Sequence, residues 1–390
     1  MFGSLITRAA LPFLAILVLH ASAAQIAGLT LASILPGFLI GLVAGVGIDR
    51  LRRRPVMILA DVGRALALGA IPILAVTGHL GLIALYAVAV VASALTVFFD
   101  VAEVSYIPSV VGAGQLGDAN SRLAATQSVA EISAFGIAGW LVQWFTAPLA
   151  IAIDAVTFLV SGGLVATISS PEPSTTEPRQ PARGVWNEML AGLAALRHDR
   201  SLTTICLSVS AMECAYGIIG TVYALFALRE LGFQPGLLGM IYAIGGVSSL
   251  AASVYAGRIN RRIGMARVMG LGLALAAVGT LLLPIARGAG IVALLLLIGQ
   301  QLVGDGGGTI AEINQTTLRQ SLAPPALLGR INAGTRVATL GATLFGTALG
   351  GALGQTLGYR LTIVIGALVM LLGGIVVLRS PLVLGQRAAA

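Results

Sequence analysis

Apolar residues run through this chain in long stretches, and the charged residues are confined mostly to short gaps between them. About 20 apolar residues cross the hydrocarbon core of a bilayer as a helix. The pattern predicts about twelve spans, near 1–20, 26–48, 56–76, 80–107, 123–145, 149–168, 202–228, 237–256, 268–286, 291–318, 331–353 and 361–378. It breaks once, at 169–183, where Pro171, Pro173, Pro178 and Pro181 stand among Ser, Thr and Glu, the composition of a disordered linker. Just beyond, Trp186, Met189, Leu190, Leu193 and Leu196 recur at helical spacing with Asn187, Glu188 and Arg197 between them, which predicts a short interfacial amphipathic helix. The expected architecture is an all-α membrane protein with a six-helix half over 1–168, a cytoplasmic linker over 169–200 and a second six-helix half over 201–390. Pro36-Gly37 marks a kink in the second span, tolerated where a neighbouring helix satisfies the freed backbone.

Composition narrows the function. Of 390 residues 57% are apolar and 10% charged, with a mean hydropathy of +0.97, against roughly 25% charged in an ordinary soluble domain. A soluble enzyme is excluded. The formal net charge is +8 and every basic residue is arginine. Those arginines cluster in short loops between spans, which the positive-inside rule explains and nucleic-acid binding does not. Without lysine there is no phosphate loop of the form G-x-x-x-x-G-K, so the chain is not itself an ATPase. Cys206 and Cys214 fall in one apolar run, and His20, His79 and His198 are scattered, so neither a disulfide framework nor a metal site is indicated. No cofactor is expected. The first span has no basic region or small-residue cleavage site typical of a signal peptide. It begins without a polar lead and includes Arg8, which suggests that its first turns lie upstream of this reading frame.

An internal repeat supports the two halves. An offset of 212 carries Gly45 onto Gly257, Arg50 onto Arg262, Leu116-Gly117 onto Leu328-Gly329, Asn120 onto Asn332 and Gly139 onto Gly351. A constant offset is what parallel repeats about an axis along the membrane normal produce. Asp49 falls on Arg261, so only the first half keeps the acidic residue. The segment Gly45 to Arg54, with Asp49, Arg50, Arg52, Arg53 and Arg54, is too charged for hydrocarbon. With that loop inside, most arginines and both termini are cytoplasmic.

Ionisable groups within spans cost about 2.5 to 3.5 kcal/mol at the bilayer centre and usually face the bundle interior. Glu213 lies roughly 16 Å into the seventh span at about 1.5 Å per residue, close to the midplane, and is the first candidate for a proton-coupling carboxylate. Asp305, followed by Gly306-Gly307-Gly308, is next, with Glu131 behind it. Arg8 could pair with either of the first two. Asp100 and Glu103, three apart, share a helical face, and Asp100 meets Glu312 at the 212 offset. Asp61 and Arg64, also three apart, are expected to pair, and Asp154 is placed near the outer end of its span where water reaches it. Static ion pairing between helices is the competing reading of these groups. Phe98, Phe99, Phe135, Tyr216, Tyr223 and Phe226 are possible cavity walls for an apolar cargo, or simply packing residues.

The charged loop resembles that between helices two and three of the major facilitator superfamily, written G-x-x-x-D-R-x-G-R-R, with Arg52 in place of the second glycine. Loop, repeat, span count and linker extend the resemblance over essentially the whole chain. The run from Asp49 through Pro55 to Asp61 and Arg64, and Leu116 to Asn120, look most like the drug and siderophore exporters related to macrolide efflux proteins. The resemblance implies that helices one, four, seven and ten line a cavity. On those helices the sequence places Arg8, Asp100 with Glu103, Glu213 with Tyr216, and Asp305 with Glu312. It also implies a conformational role for the loop residues Gly45, Asp49, Arg50, Arg53 and Arg54 and their echoes Gly257 and Arg262, with Asp49 bridging the halves. Exporters of the superfamily carry G-P-x-x-G-G on helix five. Here that stretch reads Ala134 to Gly139 without the proline, and Gly346, Gly350 and Gly351 supply a closer version in the second half. The function expected is export of a hydrophobic or amphipathic small molecule by a monomeric, bilayer-embedded proton antiporter of the inner membrane. The alternatives are an uptake permease for a small polar metabolite, or a lipid translocator.

Overall fold

Residues 2–48, 52–111, 115–168, 192, 194, 196, 199–325 and 327–383 are described by a computed structural model. They form twelve helical rods, which we number in chain order. The first six are α1 (Phe2–Leu17), α2 (Ala23–Ile48), α3 (Arg53–Val76), α4 (Leu82–Val111), α5 (Leu116–Phe145) and α6 (Ala147–Thr167). The second six begin with α7 (Arg200–Leu225), which continues as a π turn over Phe226–Glu230, then α8 (Pro235–Ile263) and α9 (Met265–Thr280). The rod α10 runs through Ile291–Gln300, a π turn at Gln301–Asp305, and Gly306–Leu322; α11 (Leu328–Thr356) and α12 (Tyr359–Leu378) follow. Ten of these rods are long and apolar enough to cross a membrane, and α1 contributes a shorter apolar helix over Ser4–Leu17. The chain is a multi-pass integral membrane protein.

The predicted start of the fifth span was seven residues late. The polar stretch before 123 is helical from Leu116, with Asp118 in the first turn, where a carboxylate favours the helix N-terminus, and paired at 3.0 Å with Arg122 one turn on. The polarity that reads as a loop is the exposed face of a helix end.

Two compact units divide the chain: Met1–Ala21 with Gly28–Ala182 and Pro235–Met240, and Ser22–Ala27 with Arg183–Gln234 and Ile241–Ala390. Within the first, α1 packs on α5 and α6, and α3 on α4 and α6; within the second, α7 packs on α11 and α12, and α9 on α10 and α12. The same scheme is used twice, and the repeat is kept to the residue. The rods α8, α9, α11 and α12 begin at Pro235, Met265, Leu328 and Tyr359, each 212 residues after Ala23, Arg53, Leu116 and Ala147, where α2, α3, α5 and α6 begin.

Local devices fit the expectations. Pro36 lies inside α2, and the Gly37 N–H beside it donates to Ser93 Oγ of α4 at 3.1 Å, so a neighbouring side chain takes up that donor. Arg54 Nε donates to the Val165 carbonyl at 3.2 Å and Nη2 to that of Ala166, placing a cation on the C-terminus of α6. In the second unit α8 ends on Arg261 and Arg262, and Gly264 makes the turn into α9 at φ 85°, a left-handed conformation that glycine adopts without strain. Gly257 sits where an added Cβ would meet only Arg261, so close helix approach does not require it. Asp49 and Arg50 lie outside the described residues, as does the side-chain environment of Gly45. Of the expected amphipathic helix, Gly192, Ala194 and Leu196 are described and helical. Leu196 is buried with Leu202, Cys206, Ala323 and Ile331, so this face packs on protein.

Candidate functional site

Glu213 is the fourteenth residue of the span Arg200–Glu230 and Asp305 the fifteenth of Ile291–Leu322, spans of 31 and 32 residues. Both carboxylates therefore sit near the middle of their rods. Glu213 is half-buried and its Oε2 accepts a hydrogen bond from Thr343 Oγ1 of α11 at 3.0 Å. One turn along α7, the Tyr216 hydroxyl rests against the Cα of Gly308, where any Cβ would overlap it. Tyr216 lies within electrostatic reach of Asp305, Glu213 and Glu312. Glu312 itself is exposed, two turns along α10 from Asp305.

Asp305 closes the π turn Gln301–Asp305. Such a turn inserts one residue into the helix, rotates the side chains that follow and releases a carbonyl, which is why π turns gather at functional positions. Here the Leu302 carbonyl accepts from Ser248 Oγ of α8 at 2.6 Å, and Gln301 Nε2 donates to the Ile241 carbonyl at 3.2 Å. Gly245 provides the room: a Cβ there would overlap Asp305 Oδ2 and come within 2.6 Å of Gln301 Nε2. Tyr223 and Tyr242 pack with ring centroids 5.4 Å apart, and both are within reach of the Asp305 charge. Among the described residues neither Glu213 nor Asp305 has an ion-pair partner.

Three positions at this site escape a reading of hydropathy. Gln301 and Thr343 look like ordinary polar interruptions, and Gly245 like a packing glycine; the π turn that joins them leaves no periodic signal. We expect Gly245→Ala to act through Asp305. Both obstacles are ends of flexible side chains, so stability should fall by less than about 1 kcal/mol. Transport should fall roughly as far as in Asp305→Asn, about tenfold if that carboxylate is coupled to it. Equal initial transport rates in Gly245→Ala and wild type would contradict the assignment.

The other candidates divide. Asp100 is exposed and Glu103 half-buried on α4, and Arg8 is exposed on α1 with no ion pair among the described residues. Glu131 lies on α5, its side chain outside the described set. Asp61 and Arg64 pair as predicted, Oδ1 to Nη2 at 2.5 Å. Asp154 corrects its expectation: it is 0% exposed, not open to water. It lies two turns inside α6 with α1 and α3 packed over it. Among the described residues no group of three or more His, Cys, Asp or Glu side chains is arranged to hold a metal ion.

Twelve rods in a repeated six-helix scheme, with carboxylates at mid-depth, define a membrane transporter fold. The sequence profile of the Major Facilitator Superfamily matches residues 1–333 and 205–384. The chain belongs to that superfamily. Among solved structures it is similar to a bacterial homologue of the iron transporter ferroportin, at 20% identity and TM-score 0.78, covering 97% of this chain and 96% of that one. It is also similar to the nucleoside transporter NupG, at 14% identity, TM-score 0.74 and 97% of both chains, and to a bacterial metal transporter, at 19% identity, TM-score 0.71, and 97% and 96% coverage. No curated protein matches the sequence.

Proposed function

We propose that this transporter exports an apolar or amphipathic small molecule, such as a drug, siderophore or secondary metabolite, in exchange for protons and by alternating access. It does so as a monomer in the cell's inner membrane with both termini cytoplasmic, as two functional halves, 1–168 and 201–390, joined by the linker 169–200. It uses no cofactor and catalyses no covalent step. The observation that carries the reading is the pair Glu213 and Asp305. They lie near the middle of the rods α7 and α10 without an ion-pair partner among the described residues, each within electrostatic reach of Tyr216. A carboxylate so placed is costly to keep charged and is suited to taking up and releasing a proton. Tyr223 and Tyr242, packed on each other and within reach of the Asp305 charge, supply aromatic surface, which suits a cargo bound by apolar area more than by many hydrogen bonds.

Ligand binding stabilises a folded protein by RT ln(1 + [L]/Kd), which gives a test that needs no prior substrate. Purified protein is heated with lipophilic amines, siderophores, a nucleoside set and ferrous iron. Stabilisation by a lipophilic compound, lost in Tyr216→Ala, is expected. Stabilisation only by nucleosides or by iron, the cargoes named for the similar structures, would overturn the cargo class.

A further inference from the structure

A second set of ionisable groups lies in the first unit. Asp61 is 0% exposed and Arg64 4%, and they are ion-paired with each other. The guanidinium is held between the rings of Phe99 and Phe158, 4.5 and 4.3 Å from their centroids, with Nη1 3.5 Å from Thr96 Oγ1. Asp61 Oδ2 is turned toward α6 at Gly162, and among the described residues neither it nor Arg64 Nε has a hydrogen-bond partner. Asp154 is also fully buried; its Oδ2 accepts from Thr7 Oγ1 of α1, and its Oδ1 lies 3.0 Å from Thr157 Oγ1.

The six-helix scheme does not need these groups, because the second unit is built without them. At the 212 offset Thr7 becomes Ile219, Asp61 becomes Leu273, Arg64 becomes Ala276 and Asp154 becomes Gly366. The corresponding helix pairs are in contact in both units. A Cβ added to Gly162 of α6 would lie 3.3 Å from the Asp61 Cβ, and one added to Gly374 of α12 would lie 3.2 Å from the Leu273 Cβ. Thr7 meets Asp154 where Ile219 presses on Gly366, its Cγ1 2.6 Å from where a Cβ would stand. A buried ion-pair cluster replaced by apolar residues of matching shape is often neutral or stabilising. The first unit therefore carries a charged solution where the chain itself demonstrates an apolar one, and stability is a poor reason for it.

Charge and hydrogen counts indicate what the cluster holds. Arg64, already paired with Asp61, is within electrostatic reach of Asp154, and among the described residues no cation lies within ion-pair distance of Asp154. Ionised, Asp154 would be a second buried anion supported only by hydroxyls. Thr157 has one hydroxyl proton for two oxygens, the Asp154 carbonyl at 2.8 Å and Asp154 Oδ1 at 3.0 Å. A proton on Oδ1 turns both contacts into hydrogen bonds, Thr157 donating to the carbonyl and the carboxyl donating to Thr157.

We propose that Asp154 is a proton-binding site of the first unit, occupied in this conformation, whose occupancy is reported to α1 through the Thr7 hydroxyl. The reaction is carboxylate plus proton to carboxylic acid, with the proton exchanged with water when α1 moves off α6. Within electrostatic reach of it are Arg64 on α3 and the chain's amino group, and Arg64 is in turn faced by Asp61 on α3 and by Asp100 and Glu103 on α4. The site does not depend on what the protein carries.

Infrared spectroscopy of the purified protein in lipid reads this directly through the carbonyl stretch of neutral carboxyl groups. At neutral pH the wild type should show a neutral-carboxyl band, buried from deuterium exchange, that is lost in Asp154→Asn and kept in Glu213→Gln. A folded Asp154→Asn protein whose carboxyl region superimposes on the wild type would overturn the proposal. Should Asp154→Asn fail to fold, Thr7→Val keeps the carboxyl and removes its hydroxyl partner. The band must then shift in frequency, and an unshifted band overturns the proposal equally. Because no substrate is present, failure here is distinct from failure of the export reading.

Discussion

Glu213→Gln should abolish accumulation against a gradient while leaving energy-independent exchange of cargo intact. The amide keeps the size of the side chain and can still accept from Thr343 Oγ1, the 3.0 Å bond that links α7 to α11, so packing and cargo contacts are preserved. What is lost is the ability to change protonation at mid-depth. Uphill transport should fall by at least about tenfold, a deficit of about 1.4 kcal/mol or more in the coupled step, with counterflow of labelled against unlabelled cargo unchanged. Asp305→Asn should show the same split if the two carboxylates work as a set around Tyr216. Uphill export at the wild-type rate in both variants would move the coupling carboxylate elsewhere, with Glu131 and Asp100 next to test.

The second large effect is structural. Along α11 the glycines Gly346 and Gly350 face the backbone of α7: a Cβ on Gly346 would overlap the Cys214 carbonyl, and one on Gly350 would lie 2.6 Å from that of Ile218. From the other side, a Cβ on Gly217 would lie 2.5 Å from the Thr343 carbonyl. The obstacles are main chain and cannot rotate away, so the helices must separate. Gly346→Ala should destabilise the protein by about 3 kcal/mol, the upper end for overpacking, lowering the thermal midpoint in detergent. It should also loosen the Glu213 to Thr343 contact, which lies one turn away. The same substitution at Gly341, whose added Cβ meets nothing, should be close to silent. Equal midpoints for the two variants would refute close packing as the reason for Gly346.

What the sequence revealed, and what it hid, follow from different physics. The rods were legible because a bilayer demands runs of fixed length, and the repeat was legible because an offset of 212 survives in loop glycines and arginines; four of the six pairs of helix starts then fell on that same offset. Glu213 and Asp305 were legible as candidates because a carboxylate in hydrocarbon is expensive wherever it occurs. The start of α5 was not, since Asp118 and Arg122 give a helix face the polarity of a loop. Nor was the π turn at Gln301–Asp305, which changes the backbone without changing hydropathy. Asp154 was misplaced for a related reason: distance along a span gives depth but not direction, and α1 and α3 cover a residue that counting alone puts near water. The contrast between Thr7, Asp61, Arg64 and Asp154 and their counterparts Ile219, Leu273, Ala276 and Gly366 was present in the repeat all along. It acquires meaning only once the contacts show that the two sets occupy equivalent places.

The central claim is that cargo movement is tied to protons through Glu213. Inverted membrane vesicles containing the protein are energised to an inside-acid gradient, the lipophilic compound that stabilises the purified protein is added, and the loss of the gradient is followed by a pH-sensitive dye. Cargo-dependent dissipation by the wild type, absent in Glu213→Gln at equal protein level, is the predicted result. Cargo uptake by wild-type vesicles with no change in the gradient, or equal dissipation by the variant, would contradict the account.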